Sequence, residues 1–326
     1  MAKNFAISRA SILKPFLTSV SDYNQNPELI LTPFGLNQKL IDDSQLYLPS
    51  YCLGYALETA SQLTNLNDIG LISGHKYERH DMHPLVLKSI EQSGSLLSCL
   101  LSVSQLQNLQ GSHFHINVAY KNGGLGVVHR SALGKQDKGF MHSHMFTTSR
   151  LLTVLQEFMG EKWKPDYLDF EPQFTATPMV YSLTKHAKVN TGQPCSFIPL
   201  GINVEEVMKE YLQSPTPVNF DKLEQVKKVT DSILLHEAFS MDYVSGLFGV
   251  SERTIQRLFT QQGESFRGYV NGLIVDKTQQ LLSQGLSVEE ISVILNYSDA
   301  AKLTRAIKNT TGLSPTQLKI KVNKSK

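Results

Sequence analysis

Cysteine is scarce in this chain of 326 residues: there are three, at positions 52, 99 and 195. No two of them form a CxxC pair, so neither a disulfide framework nor a cysteine-built zinc site is expected. Cys52, Cys99 and Cys195 read instead as small buried thiols in a reducing compartment. No apolar run approaches the roughly 20 residues that cross a bilayer. The N-terminal residues lack the apolar core of a signal peptide, so the expected location is cytoplasmic, with no membrane partner. Strong charge of either sign is missing too, the formal net being +2. No Ser-His-Asp or paired-carboxylate arrangement is recognisable, so no catalytic residue is assigned, and the expectation is a non-enzyme that needs no cofactor.

Charge is unevenly distributed along the chain. Residues 1–220 carry 17 Lys+Arg against 18 Asp+Glu, a net of −1; residues 221–326 carry 14 against 11, a net of +3. From Lys302 onward there are seven basic residues and no acid. That suits a C-terminal module that meets phosphate, and equally a solvated basic tail. The best boundary is the segment Q-S-P-T-P-V-N-F-D at 213–221, where two prolines in three residues stop helices and stiffen a connector. Three parts follow: 1–212, a linker at 213–221, and 222–326.

The first part reads as α+β. Helical periodicity marks residues 10–20, 46–63 (with Pro49 in the first turn) and 85–109, the last divided at Gly94. The period then changes to two. Residues 112–120 and 125–131 alternate around Lys121-Asn122-Gly123-Gly124, a hairpin turn signal. Helical period returns at 143–159, further strands are expected at 167–170 and 195–198, and a short helix at 204–212. Gly123, Gly124 and Gly126 lack nucleotide-loop spacing. Five histidines invite a sharper idea. His113 and His115 share a strand face, His129 falls on the partner strand, and His142 and His144 follow. Such pairs hold a metal, line a ligand pocket, or are plain structure; the last carries most of the weight and no metal site is assigned.

The stretch 240–315 contains two helix-turn-helix signatures. Ser240 opens a short helix, Phe248-Gly249-Val250 breaks it, and Ser251 opens a second at 251–261. Forty-seven residues on, Ser287 and Glu290 form a capping box, Asn296-Tyr297 the turn, and Ser298 the next cap, opening a helix at 298–309. Two short helices joined by a tight turn place the second in a DNA major groove. Before them, residues 222–239 read as a helix with an apolar face.

The segments V-S-E-R-T-I-Q-R-L-F at 250–259, G-E-S-F at 263–266, L-L at 281–282, S-V-E-E-I at 287–291 and T-G-L-S-P at 311–315 together resemble the DNA-binding domain of the AraC/XylS family of bacterial transcription regulators. The resemblance implies seven helices: two helix-turn-helix subdomains joined by a central helix at about 266–284. Departures are Ile274 where the family has arginine, Asn296-Tyr297 where it prefers Gly-Phe, and Leu303 and Ile307 where it has phenylalanine. The apolar exchanges keep the core's character, and Asn296 tolerates a left-handed turn. More loosely, residues 1–212 resemble the arabinose-binding-type sensor domain of the ornithine-utilisation-regulator-like subgroup. That implies effector binding and dimerisation.

Together these imply a ligand-responsive, homodimeric regulator that reads double-stranded operator DNA in two adjacent major grooves, and that meets RNA polymerase if it activates. The expected DNA-contacting residues are Ser251, Arg253, Gln256 and Arg257 in the first unit and Ser298, Lys302, Thr304, Arg305 and Lys308 in the second. Arginine forks onto guanine and glutamine onto adenine, while Lys308 and Ser298 suit phosphate. Arg305 has a second reading, as a structural arginine tied to Glu290. The small-molecule effector and its contacts are not named by any motif. Two rivals remain: an alkyl-transfer repair enzyme with a DNA-binding appendage, which the scattered cysteines disfavour, and an architectural DNA-binding protein without an effector.

Overall fold

The computed structural model describes residues 5–43, 45–121, 124–202, 221–315 and 317–318. The expected helix at 204–212, the hairpin tip at 122–123 and the linker up to residue 220 lie outside them. The chain divides into two compact units, Met1–Asp221 and Lys222–Lys326.

In the first unit, β1 (Ile7–Arg9) pairs antiparallel with β2 (Tyr47–Pro49). The helical reading of 46–63 is corrected here: the run starts as a strand, and Pro49 caps the helix that begins at Ser50 rather than lying in its first turn. The helices are α1 (Lys14–Asp22), α2 (Glu28–Leu31), α3 (Gln38–Ile41), α4 (Ser50–Thr64), α5 (Ile69–His75), α6 (Pro84–Glu91), α7 (Leu96–Leu106), α8 (Phe140–Met159) and α9 (Pro178–Leu183). Residues 10–13 are a 3-10 turn leading into α1, because Pro15 denies the helix an interior amide there.

The main sheet has strand order β3-β4-β7-β5-β6. Its strands are β3 (Phe114–Lys121), β4 (Gly124–Ser131), β5 (Tyr167–Asp169), β6 (Lys188–Asn190) and β7 (Ser196–Pro199). All pairings are antiparallel except β5 with β6. Alternation sends Phe114, Ile116 and Val118 inward, where they meet Val127, Leu155 and Leu168 in one apolar core. Val127, Leu155 and Leu168 have no exposed surface, and each such side chain contributes roughly 1.5–3 kcal/mol of burial. Helix α8 lies across this core and packs tightly on α5. A Cβ at Gly70 would stand 2.4 Å from the His142 carbonyl oxygen, and one at Gly74 2.5 Å from the Ser149 Cβ.

The second unit is all helical among the described residues: α10 (Lys222–Ser232), α11 (Met241–Leu247), α12 (Glu252–Gln261), α13 (Phe266–Ser283), α14 (Val288–Ile294) and α15 (Ala300–Thr311), with a further helical turn at 315 and 317–318. Helix α10 stops seven residues short of the expected 239. Its end is drawn into a turn in which the Ser232 hydroxyl donates to the Val229 carbonyl. The chain is thus an α+β unit followed by an all-α unit.

Candidate nucleic-acid interface

Helices α11 and α12 form the first helix-turn-helix. The Ser240 hydroxyl accepts from the Tyr243 amide at 3.0 Å, which fixes the start of α11. The turn between the helices needs a left-handed residue, and Gly249 supplies it at φ +62°. Val244, Leu247 and Phe248 are buried, and Ile255 and Phe259 are fully enclosed. The Phe259 ring also meets those of Phe266 at 5.5 Å and Tyr269 at 5.6 Å. This packing leaves the far side of α12 to solvent. Arg253, Gln256 and Arg257 are exposed there, and Arg253 and Arg257, four apart, stand side by side. Gln256 touches back on α11, its Nε2 lying 3.5 Å from the Met241 sulfur. Ser251 occupies the N-cap position, but its hydroxyl engages Thr254 Oγ1 at 3.0 Å and makes no hydrogen bond to a backbone amide.

Helices α14 and α15 form the second unit. The capping box is present: the Ser287 amide donates to Glu290 Oε2 at 2.7 Å and the Glu290 amide to Ser287 Oγ at 3.2 Å. These bonds, chiefly the backbone one, lower the Glu290 pKa. Asn296 turns the chain at φ +56°. Its side-chain amide donates to the Leu235 carbonyl at 3.1 Å, which joins this turn to the segment after α10. The core beneath includes Val275, Leu282, Ile291, Leu295, Leu303 and Ile307. Leu303 and Ile307 are fully buried, so the aliphatic exchanges do fill the aromatic positions.

One local expectation is overturned. The N-cap of α15 is Asp299, not Ser298: Asp299 Oδ1 accepts from the Lys302 amide at 2.7 Å, and the Ser298 hydroxyl donates to Asp299 Oδ2 at 3.1 Å. The Lys302 amide bond, above all, lowers the Asp299 pKa. A carboxylate seated on a helix N-terminus removes the anion site that a serine cap would have left open. Both Ser298 and Asp299 are cap formers, so composition alone did not choose between them.

Along α15, Lys302, Arg305 and Lys308 are exposed and Thr304 is half-buried. Among the described residues no ion pair joins Arg305 to Glu290, whose carboxylate is spent on the capping box. Nor does any of Arg253, Arg257, Lys302, Arg305 or Lys308 pair with a carboxylate among them. Among the described residues the ion pair of this unit is Lys227 with Glu264, the Lys227 ammonium lying 4.9 Å from the Tyr269 ring centroid. Each helix-turn-helix therefore turns basic side chains outward, with the Asp299 carboxylate close to Lys302 and Arg305 in the second.

The histidines come together only in part: the His129 and His144 rings stand 5.5 Å apart, while the others lie elsewhere. In register, Ile116 stands opposite His129 and His115 opposite Arg130, so His115 and His129 occupy opposite faces of the sheet. His142 and His144 lie on helix α8, where residues two apart diverge. His129 Nε2 meets Thr148 Oγ1 at 2.8 Å and His144 Nδ1 meets Ser196 Oγ at 2.7 Å. Burial lowers both pKa values, that of His144 to about 4. Among the described residues no three His, Cys, Asp or Glu side chains are grouped to hold a metal, and no helix is long and apolar enough to cross a membrane.

Residues 244–320 match the family model described as a helix-turn-helix domain. Among solved structures, the transcriptional regulator CdpR from Pseudomonas aeruginosa is similar at 15% identity over 94% of this chain and 96% of that one, with a TM-score of 0.38. The C-terminal domain of AraT, a response regulator from Geobacillus stearothermophilus, is similar at 22% identity over 30% of this chain and 84% of that one, TM-score 0.29. A DNA-binding transcriptional dual regulator from Escherichia coli K-12 gives 14% identity over 34% and 99%, TM-score 0.30. No curated protein matches the chain.

Proposed function

We propose that this chain, which carries a helix-turn-helix domain of the kind used by DNA-binding transcription regulators, is an AraC-type regulator with an effector-binding, dimerising N-terminal domain (1–212), a linker (213–221) and a tandem reading domain (222–326). The observation that supports this best is the pair of outward basic faces on α12 and α15, each braced by its own apolar core and coupled through α13. Arg253, Gln256 and Arg257 read bases from α12; Lys302, Thr304 and Arg305 read from α15; Lys308 meets phosphate. Ser251 and Ser298 rank below these, since their hydroxyls are engaged by Thr254 and Asp299. Two such helices about 34 Å apart enter successive major grooves on one side of a duplex. The N-terminal domain belongs, in this reading, to the arabinose-binding-type subgroup, and its effector acts only by binding two arrangements of the dimer with different affinity. RNA polymerase is a partner if the protein activates.

Selection of duplexes by the full chain from random DNA tests the reading. The expected product is a site with two specified elements about 10 base pairs apart. Recovery of no preferred sequence, even at low ionic strength, refutes it. The architectural rival predicts instead that no small molecule changes the affinity for the selected site.

A further inference from the structure

A hollow in the N-terminal unit lies between α6, α7, β3 and α8, with about 590 Å³ of unfilled space, its open mouth included. Its walls are Val86, Ile90, Leu100, Val103, Phe114 and Val154, and its lining is almost wholly apolar. Polar groups enter in few places. Gln107 is bonded at both ends: its Nε2 donates to the Ser104 carbonyl and its Oε1 accepts from the Ile116 amide. Gln110 and Arg150 are not. Gln110 is 6% exposed; its Oε1 takes the His83 amide, while its Nε2 is buried without a partner. Arg150 Nε is likewise buried without a partner. Both groups line the hollow and border Tyr77. The Arg150 guanidinium lies 3.8 Å from the Tyr77 ring centroid, and the Gln110 side chain faces the Tyr77 hydroxyl.

Two guanidiniums, those of Arg150 and Arg9, and one carboxylate, that of Asp81, act on Tyr77. Arg9, 5% exposed, has its Nε buried without a partner and also faces Tyr77. The nearby acids are taken: Asp81 by Lys14 at 3.0 Å, and Glu157 by Arg79. No carboxylate among the described residues lies within ion-pair distance of Arg150. What the hollow lacks is an acceptor, preferably anionic, attached to an apolar body. Buried donors beside a guanidinium are the arrangement that binds a carboxylate most strongly.

We propose that this hollow binds a small organic carboxylate, with Arg150 and Gln110 holding the carboxylate and the apolar walls enclosing the rest. The proposal rests on the reading of this unit as effector-binding and names the effector's chemical class.

Phenylacetate and its uncharged isostere phenylacetamide test it, titrated calorimetrically into the full chain. Phenylacetate should bind at least about tenfold more tightly, the scale of a charge-assisted hydrogen bond. Arg150→Gln should remove that advantage and leave phenylacetamide unchanged. Leu100→Trp, which fills the hollow, should abolish both. If Arg150→Gln fails to fold by circular dichroism, Gln110→Leu takes its place, with a smaller loss expected for the acid alone. Equal binding of the two probes, binding of neither, or an acid preference that survives Arg150→Gln overturns the proposal. The effector reading fails separately: phenylacetate bound as expected with unchanged affinity for operator DNA keeps the site and removes its regulatory role. A neutral molecule that co-purifies and shifts DNA affinity does the reverse.

Discussion

Arg257→Ala isolates the chemistry of base reading from the stability of the fold. Arg257 is exposed on α12, on the side away from Ile255 and Phe259, and no ion pair among the described residues holds it. Alanine removes no packed contact and is at least as good a helix former, so stability should move by no more than about 0.5 kcal/mol. Affinity for the selected operator should fall by about 1–3 kcal/mol, which is about five-fold to more than a hundred-fold in Kd. Arg257→Lys keeps the charge and loses the planar fork, so it should retain non-specific binding while relaxing the preference at one base pair. Fluorescence anisotropy titrations on operator and scrambled duplexes, beside a thermal melt, measure all of this. An unchanged operator Kd with an unchanged melt would remove Arg257 from the interface. A melt lowered by many degrees would show that the side chain holds the fold instead.

Asp299→Asn keeps a good N-cap on α15 and deletes a negative charge beside Lys302 and Arg305, on the proposed DNA-facing side. Affinity should rise several-fold at low salt with little change in the melt; unchanged or weaker binding would mean that this helix end is remote from phosphate. A second prediction concerns pH. His129 and His144 are each 1% exposed, and burial is the first cause of their lowered pKa values, His144 to about 4 from an ordinary 6.5. The unfolded chain therefore takes up protons below about pH 6.5 that the native chain refuses, and stability falls as pH drops through that window. The loss is about 1.4 kcal/mol per pH unit for each histidine until its native pKa is reached. Denaturant unfolding from pH 7 to 5 should show this slope, and His144→Gln should flatten it by about one proton; a slope unaltered by the substitution would contradict the assignment.

Much of this architecture was legible from local chemistry. Ser240, the Ser287–Glu290 box and Gly249 announce their helix ends and turn because the hydrogen bonds involved span three residues or fewer. The β3–β4 hairpin was visible in its alternation. Local signals failed where partners are distant in sequence. Residues 47–49 became a strand because residues 7–9 pair with them. His115 and His129 fell on opposite sheet faces because the register set His129 beside Ile116, while α8 brought His144 to 5.5 Å from His129. The choice of Asp299 over Ser298 depended on where Ala300 starts the helix, and Arg150 carries no motif; its meaning arises from Tyr77 and Gln110, each at least forty residues away in the chain.

The spacing of the two reading helices is tested by inserting about five base pairs, half a helical turn, between the two specified elements of the selected operator. The account predicts that one monomer's binding drops to the level of a single element, and that inserting about ten base pairs moves the elements beyond its reach without restoring it. Full affinity after the half-turn insertion, with both elements still protected from cleavage, would contradict twin heads fixed on one face of the duplex.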